Sequence, residues 1–146
     1  ALTAAEDALG FALPREACRS ASLNDAHALW LGPDEWLILS APEAGLGDRL
    51  EGAMGAHPHS LVEVSDRQIG LVVGGPEAEA VLSVGCPLDL DQAAFPIGMC
   101  TRTVLSKAEI VLWRTGPETF HLEVWRSFSA YLRAFLTASA VVPVAD

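Results

Sequence analysis

Residues 85–136 read GCPLDLDQAAFPIGMCTRTVLSKAEIVLWRTGPETFHLEVWRSFSAYLRAFL, and this stretch decides the fold. It predicts a turn-rich entry, three consecutive strands and a closing amphipathic helix that runs to about Ser139. The strands are expected at 99–105, 109–114 and 119–125. The last of them alternates apolar and polar residues, which is typical of a strand with one face in a core. The helix repeats apolar residues at helical spacing, namely Phe128, Tyr131, Leu132, Phe135 and Leu136.

A tight turn joins the last two of these strands. Pro117 prefers the first central position of such a turn, which predicts a turn from Gly116 to Thr119. The expected inner face carries Val111, Trp113, Phe120 and Leu122. The opposite face would then carry Ile110, Leu112, Arg114, His121 and Glu123. That face is too apolar for plain solvent and too polar for a sealed core, which favours a partner or a second layer that covers part of it.

Shorter patterns predict the elements upstream and at the carboxyl end. Helices are expected at 3–11, 45–56 and 76–84, and strands at 28–31, 36–41, 61–64, 69–73 and 141–144. Thr3 is the expected N-cap of the first helix, with Glu6 three residues later. Gly85 is the expected C-cap of the third, and 15–25 is expected to be a polar loop. One face of the first hairpin is expected to carry Leu29, Leu31, Trp36 and Ile38.

The order of helices and strands in both halves approximates a split βαβ plan. The predicted fold class is therefore α+β, with two split-βαβ, ferredoxin-like subdomains whose mostly antiparallel sheets carry helices on one face. The boundary is expected after Asp66, giving an N-terminal subdomain at 1–66 and a C-terminal one at 67–146. Because the first half lacks its opening strand, we expect that strand to be formed by residues that precede Ala1.

Composition excludes several classes of function. Of the 146 residues, 51% are hydrophobic and 19% are charged, which indicates a globular chain. The formal net charge of −10 repels phosphate backbones and anionic lipid, so neither nucleic acid nor a membrane surface is an expected partner. No apolar run reaches membrane-spanning length. Three widely spaced cysteines without a CxxC pair are typical of a reducing compartment, which predicts a cytoplasmic protein.

The search for catalytic or metal-binding residues yields none that we retain. His57 and His59 form the one local histidine pair, but no cysteine or acidic cluster lies nearby in sequence, so we expect loop residues rather than metal ligands. His121 beside Glu123 has the chemistry of a general base, but we expect it to be a surface histidine. Nucleophile-elbow, dinucleotide-binding and Walker spacings are all missing from the sequence. Cys86 and Cys100 are expected to be small buried hydrophobes.

Exposed cations and an aromatic side chain predict a docking surface instead. The basic residues concentrate in the second half of the chain and include Arg67, Arg102, Lys107, Arg114, Arg126 and Arg133. They can pair with an acidic partner or form salt bridges within the chain. Trp125 lies on the outward side of its strand, and buried aromatics and arginines dominate interface energetics. The predicted interface residues are Trp125, Arg126, Arg114 and His121.

Five short motifs in a fixed order carry a family resemblance. They are LGPDEWL at 31–37, GCPLDL at 85–90, FPIG at 95–98, KAE at 107–109 and EVWRSF at 123–128. Each motif is unspecific alone, but their order and spacing over 28–136 resemble the gamma subunit of heterotetrameric sarcosine oxidase.

The resemblance implies a fold related to the folate-binding domain of the glycine-cleavage T-protein. It also implies alpha, beta and delta subunits as partners, in a complex that oxidatively demethylates sarcosine to glycine. In that family the complex uses FAD, FMN, NAD, tetrahydrofolate and zinc, none of them bound by the gamma subunit. The implied role is structural, without an active site of its own. An isolated chain would then self-associate through the surface that otherwise meets its partners.

The alternative is a stand-alone folate- or pteridine-binding module of T-protein-like fold. It requires an acidic residue that faces the pteridine and an arginine that faces the glutamate tail. Glu63 or Asp66 with Arg67 or Arg126 are the candidates, although fold-level analogy alone is a weak warrant for such a site.

Overall fold

The structure, a computed structural model, describes residues 1–42 and 45–141. It divides into two units, Ala1–Glu63 and a second that begins at Val64, three residues before the expected boundary. Each unit combines helices with an antiparallel sheet, of three strands in the first unit and four in the second. The predicted α+β class with antiparallel sheets is confirmed. Beyond Val141, the strand predicted at 141–144 lies outside the described residues.

The first unit packs two helices against one face of its sheet. Its elements are α1 (Leu2–Leu9), β1 (Ser20–Leu23), β2 (Ala26–Gly32), β3 (Glu35–Leu39) and α2 (Leu46–Met54), with strand order β1-β2-β3. The helices bury Ala5, Leu9, Leu46, Leu50 and Met54 against Ala28, Trp36 and Ile38 of the sheet. The buried residues of α2 are four apart, so they form one stripe.

The start of α1 differs from the predicted capping box. The N-cap is Ala1, which makes no side-chain cap hydrogen bond. The Glu6 carboxylate has other partners: it accepts the Leu13 N–H at 3.0 Å and pairs with Arg15 at 3.0 Å. Gly10, with φ 83°, ends the helix because a left-handed residue cannot continue it.

Two segments differ from their predicted secondary structure: a predicted loop contains a strand, and a predicted strand is not one. The expected loop at 15–25 contains β1, a four-residue edge strand that pairs with β2 from Ser20 to Leu23. Its sequence, SASL, is too short and too polar to show a strand pattern. Conversely, 61–64 is apolar but is not a strand. Its apolar residues Leu61 and Val62 are exposed. The apolar composition of this segment therefore does not reflect burial in a sheet.

The β2–β3 hairpin has a different register from the predicted one. Trp30 pairs with Trp36 and Gly32 pairs with Glu35, which leaves Leu31 as an extra residue. Side chains of paired residues share a face, so Trp36 and Ile38 lie with Trp30 and Ala28. The predicted grouping with Leu29 and Leu31 is wrong, because one extra residue moves the rest of a strand to the other face.

The second unit places four strands beneath two helices. Its elements are β4 (Gln68–Gly74), α3 (Ala78–Ser83), β5 (Cys100–Leu105), β6 (Ala108–Gly116), β7 (Thr119–Trp125), a 3-10 turn (Arg126–Phe128) and α4 (Ser129–Val141). Both helices contribute to one core, with Ala78 and Leu82 from α3 and Leu132 from α4. From the sheet, that core takes Leu105, Ala108, Ile110, Leu112, Phe120, Leu122 and Val124. The predicted strands β5, β6 and β7 and the turn between Gly116 and Thr119 are confirmed.

The faces of β6 were predicted the wrong way round. Arg114 pairs with Phe120 and Gly116 pairs with Thr119, so Thr115 is an extra residue at a register shift. Upstream of this bulge, Ile110, Leu112 and Arg114 share the helix-covered face with Phe120, Leu122 and Val124. Val111 and Trp113 lie on the opposite face, beside Glu123 and His121. A bulge that adds one residue inverts the face of every residue on the far side of it.

The strand order of this sheet is β4-β7-β6-β5, and every neighbouring pair is antiparallel. In a split βαβ unit, the two strands that a helix links are parallel, with one strand between them. Here α3 links β4 and β5, which lie at opposite edges with two strands between them. The connectivity therefore departs from the split βαβ plan: β5, β6 and β7 form a meander, and β4 is added beside β7.

Around α3, the predicted C-cap changes. Ala78 and Leu82 are the buried residues of this helix, whereas Val84, at the end of the expected helix, is exposed. Gly85 does not adopt a left-handed cap conformation. An added Cβ there would lie 2.6 Å from Phe135 Cζ and 2.8 Å from the Ser106 backbone nitrogen. Glycine is required at this position because two neighbouring segments approach its backbone closely.

Candidate docking surface

The face of the second sheet that α3 and α4 leave uncovered is the candidate functional site, and we call it the outer face. Alternation along the four paired strands assigns its residues. They are Gln68, Gly70, Val72, Cys100, Arg102, Val104, Glu109, Val111, Trp113, His121, Glu123 and Trp125. Several are exposed and apolar, including Val72, which is 68% exposed, and Val104.

An open depression of about 480 Å³ lies on the outer face. Its lining combines the cations Arg67 and Arg102 with the carboxylates Glu109 and Glu123, beside Trp125. Gln68 also lines it, and the Gln68 Oε1 atom is buried without a hydrogen-bond partner in the described part of the chain. Burying a polar atom without a partner costs free energy, and this atom is too enclosed for a ligand to reach it unless the side chain moves.

Trp125 stands at the end of β7 with 49% of its surface exposed. It pairs across the sheet with Gln68, and the neighbouring Arg126 N–H donates to the Arg67 carbonyl at 2.7 Å. This backbone contact brings the Arg67 guanidinium carbon to 5.2 Å from the centroid of the Trp125 ring. An arginine stacked on a half-exposed indole is a preorganised aromatic and cationic contact site.

His121 and Glu123 form a hydrogen-bonded pair next to Trp125 on the same strand. His121 Nε2 lies 2.6 Å from Glu123 Oε1, and the ring meets Trp113 edge-on at 5.8 Å. A Cβ on Gly70 would lie 2.9 Å from His121 Cε1, so glycine on β4 lets this pair lie flat on the sheet. This hydrogen bond holds the two side chains against the outer face, where Glu123 is only 8% exposed.

Arg114 is not on this surface. The bulge at Thr115 turns its side chain to the helix-covered face, where it is 2% exposed. Its guanidinium donates to the carbonyls of Leu90 at 2.7 Å and Phe95 at 3.1 Å, among others. We therefore remove Arg114 from the predicted interface set and assign it a structural role. Trp125 and His121 lie on the outer face, and the exposed Arg126 begins the 3-10 turn that follows.

Gln68, Arg102 and Glu109 are among the lining residues that the sequence does not mark as site residues. Arg102 was noted only as one of several cations, and nothing in the local pattern marked Gln68 or Glu109. The available signal was alternation across the sheet, because Gln68 is opposite Trp125 in the observed register. That signal could be used only with the strand order known.

The described residues contain no group of three or more His, Cys, Asp or Glu side chains able to hold a metal ion. His59 contacts the His57 carbonyl through Nδ1 at 2.7 Å and Glu51 through Nε2 at 3.2 Å. Both contacts raise the pKa of His59 above its usual value of 6.5 because they stabilise the protonated ring, the carbonyl contributing most. Cys86 and Cys100 are buried free thiols, as predicted.

Of the residues of the folate alternative, only Arg67 belongs to the lining of the depression. Arg67 lines the depression, but Asp66 and Arg126 are not among its lining residues. Glu63 belongs to the first unit. The acidic residues that do line the depression are Glu109 and Glu123. Within the described residues, no helix is both long and apolar enough to cross a membrane.

Comparison with known proteins agrees with the motif order. The model of the sarcosine oxidase, gamma subunit family matches residues 1–141. The chain is 35% identical over 116 residues to sarcosine oxidase subunit gamma of an Arthrobacter species, covering 79% of this chain and 57% of that protein. It is 33% identical over 126 residues to the same subunit of Corynebacterium sp. strain P-1, covering 86% of this chain and 62% of that protein.

A solved structure shows the same fold. One chain of the heterotetrameric sarcosine oxidase from Corynebacterium sp. U-96, determined in complex with pyrrole 2-carboxylate, superposes with a TM-score of 0.87. The identity is 30%, and the match covers 98% of this chain and 76% of that chain. The present chain spans about 57 to 62% of the length of the curated relatives described above. On these grounds, the chain belongs to the sarcosine oxidase gamma subunit family.

Proposed function

We propose that the chain acts as the non-catalytic gamma subunit of a heterotetrameric sarcosine oxidase complex, which oxidatively demethylates sarcosine to glycine. The observation that carries this proposal is the family match over residues 1–141. The structural match to a heterotetrameric sarcosine oxidase over 98% of the chain supports it. The proposed partners are the alpha, beta and delta subunits, and the proposed location is the cytoplasm.

The cofactors of the proposed complex are FAD, FMN, NAD, tetrahydrofolate and zinc, all held by the other subunits. The residues of the outer face suit a different task. They combine exposed apolar side chains with paired charges, a composition typical of a protein contact surface. The proposed role of this chain is therefore assembly: it stabilises or orients the subunits that carry the chemistry.

We assign docking to the outer face around Trp125, with Arg126 and His121 at its margin. Trp125 is half-exposed, stacked with Arg67 and paired across the sheet with Gln68. A partner that buries the indole gains apolar contact area. In isolation, the same surface would favour self-association.

Co-purification tests the proposed function directly. The tagged chain is expressed with the candidate partner subunits, and the eluate is examined by absorbance and for peroxide release on addition of sarcosine. We expect co-purified large subunits, a flavin spectrum and sarcosine-dependent peroxide. A chain that elutes alone and without flavin contradicts the proposal. Heat protection of that lone chain by folate would then support the pteridine-binding alternative.

A further inference from the structure

Strand β4 pairs with β7 along one edge, and its other edge is open. Two hydrogen bonds show which residues direct their backbone groups to each edge. The Arg126 N–H donates to the Arg67 carbonyl, and the Gly75 N–H donates to the Glu118 carbonyl. In an antiparallel pair, residues alternate between directing both backbone groups to the partner strand and directing both away from it. Odd-numbered residues of β4 therefore bond to β7. Even-numbered residues direct their backbone groups to the open edge, namely Gln68, Gly70, Val72 and Gly74.

Among the described residues, most backbone groups at this open edge have no backbone partner. The Gln68 N–H donates to the Val64 carbonyl at 3.0 Å. In the part of the chain that the structure describes, no backbone partner occupies the N–H groups of Gly70, Val72 and Gly74. Natural edge strands are usually protected by proline, lysine or a bulge. The sequence of β4, QIGLVVG, has none of these, and its pairing with β7 has no register shift.

The core beneath β4 is also incompletely covered. Ile69, Leu71 and Val73 are only partly buried, although they pack against the core of the second unit. Their neighbours on β7 are fully buried, namely Val124, Leu122 and Phe120. A strand added at the open edge would bury this remaining apolar surface, and apolar burial stabilises association. The backbone groups and the inner side chains of β4 thus indicate the same missing neighbour.

We infer that the open edge of β4 accepts an extended segment of a partner subunit, which adds a strand to the four-stranded sheet. This inference rests on the proposed function. In this binding mode, backbone hydrogen bonds give affinity and alternate side chains give specificity. The segment would direct apolar residues towards Leu71 and would lack acidic residues, because exposed Asp66 and Glu77 flank the strand.

Two features favour a different chain over a second copy of this one. Each copy carries a formal charge of −10, so pairing two copies concentrates negative charge. The open edge is also continuous with the proposed docking surface, because Gln68 pairs directly with Trp125. A partner seated on Trp125 needs only to extend along one strand to reach Gly70 and Val72.

A substitution at Val72 separates backbone pairing from side-chain contact. Val72→Pro removes an N–H that points to the open edge, so every bond to β7 remains, and proline is tolerated at such positions. Val72→Thr keeps the N–H and the β-branched shape, and serves as the matched control. We expect Val72→Pro to weaken co-assembly with the partner subunits by roughly tenfold or more, as loss of a backbone hydrogen bond together with the clash of the ring implies. Val72→Thr, which changes only the side chain, should lose much less affinity than Val72→Pro does.

Hydrogen exchange provides the second measurement. The amides of Gly70, Val72 and Gly74 should exchange quickly in the isolated chain and slowly in the complex. Equal assembly by Val72→Pro and the wild type overturns the inference, as does equal loss in Val72→Thr, which would indicate side-chain docking. Slow exchange of these amides in the isolated chain also overturns the inference. If Val72→Pro does not fold, hydrogen exchange in the wild type tests the inference by itself. A wild-type chain that binds no partner overturns the proposed function itself, which distinguishes the two failures.

Discussion

At the scale of single residues, Arg114 is the most consequential side chain in the second unit. It is buried, donates to the Leu90 and Phe95 carbonyls and lies 3.6 Å from the Glu79 carboxylate. Arg114→Met would leave these buried acceptors unpaired, and we expect a loss of about 3–5 kcal/mol in the free energy of unfolding. Urea unfolding followed by tryptophan fluorescence measures it. Arg133→Met, on the exposed side of α4, is the matched control and should change stability by less than about 0.5 kcal/mol. Similar values for the two variants would contradict the assigned role.

His59 provides a prediction about pH in the first unit. Its pKa is raised by the His57 carbonyl and by Glu51, so the folded state binds the proton more tightly than the unfolded state. The stabilisation is complete below the unfolded pKa of about 6.5 and is lost as pH rises through the higher folded pKa. NMR titration should therefore place the pKa of His59 above 6.5 in the wild type and lower in Glu51→Gln. Identical titration curves in the two proteins would show that Glu51 does not contribute.

At the scale of elements, two glycines in different settings predict opposite effects of the same substitution. Gly85 follows α3 where Phe135 and the Ser106 backbone leave no space for a Cβ, so Gly85→Ala should destabilise the fold by about 1–3 kcal/mol. Gly52 lies within α2 with no atom near an added Cβ, so Gly52→Ala should stabilise it by about 0.5–1 kcal/mol. Thermal unfolding of both variants checks the pair. A stabilised Gly85→Ala variant would refute the close approach.

Elements were more predictable from the sequence than the faces they present. Strands β5 to β7 and the Pro117 turn follow from alternation and turn chemistry, which are local properties. The bulge at Thr115 is not a local property, because it depends on which residue of β6 pairs with Phe120. It exchanges the faces of the residues upstream of it, and so the predicted docking residue Arg114 belongs to the core. Trp125 and His121 lie beyond the turn on β7, so the bulge did not affect their placement.

At the scale of the whole molecule, the order of motifs was more informative than any cluster of reactive residues. Motifs from Leu31 to Phe128 identified the family because their spacing reflects one succession of strands and turns in both units. The candidate docking surface could not be assembled from the sequence in the same way. It brings Gln68 of β4 beside Trp125 of β7, residues that are far apart in sequence, and the pairing that joins them is a tertiary contact.

The whole-molecule prediction concerns the anchor of that surface. Trp125→Ala removes the exposed indole and its stack with Arg67, so we expect affinity for the partner subunits to fall by about 2 kcal/mol or more, the loss typical of a hot-spot aromatic. Trp125→Phe, which keeps a flat apolar ring, should retain most of the affinity. Titration of each folded variant into the partner subunits measures the loss, with circular dichroism confirming the fold. Because Trp125 is half-exposed, the isolated chain does not depend on it as a core residue. Unchanged binding by Trp125→Ala would therefore exclude this part of the outer face from the interface with the partner subunits.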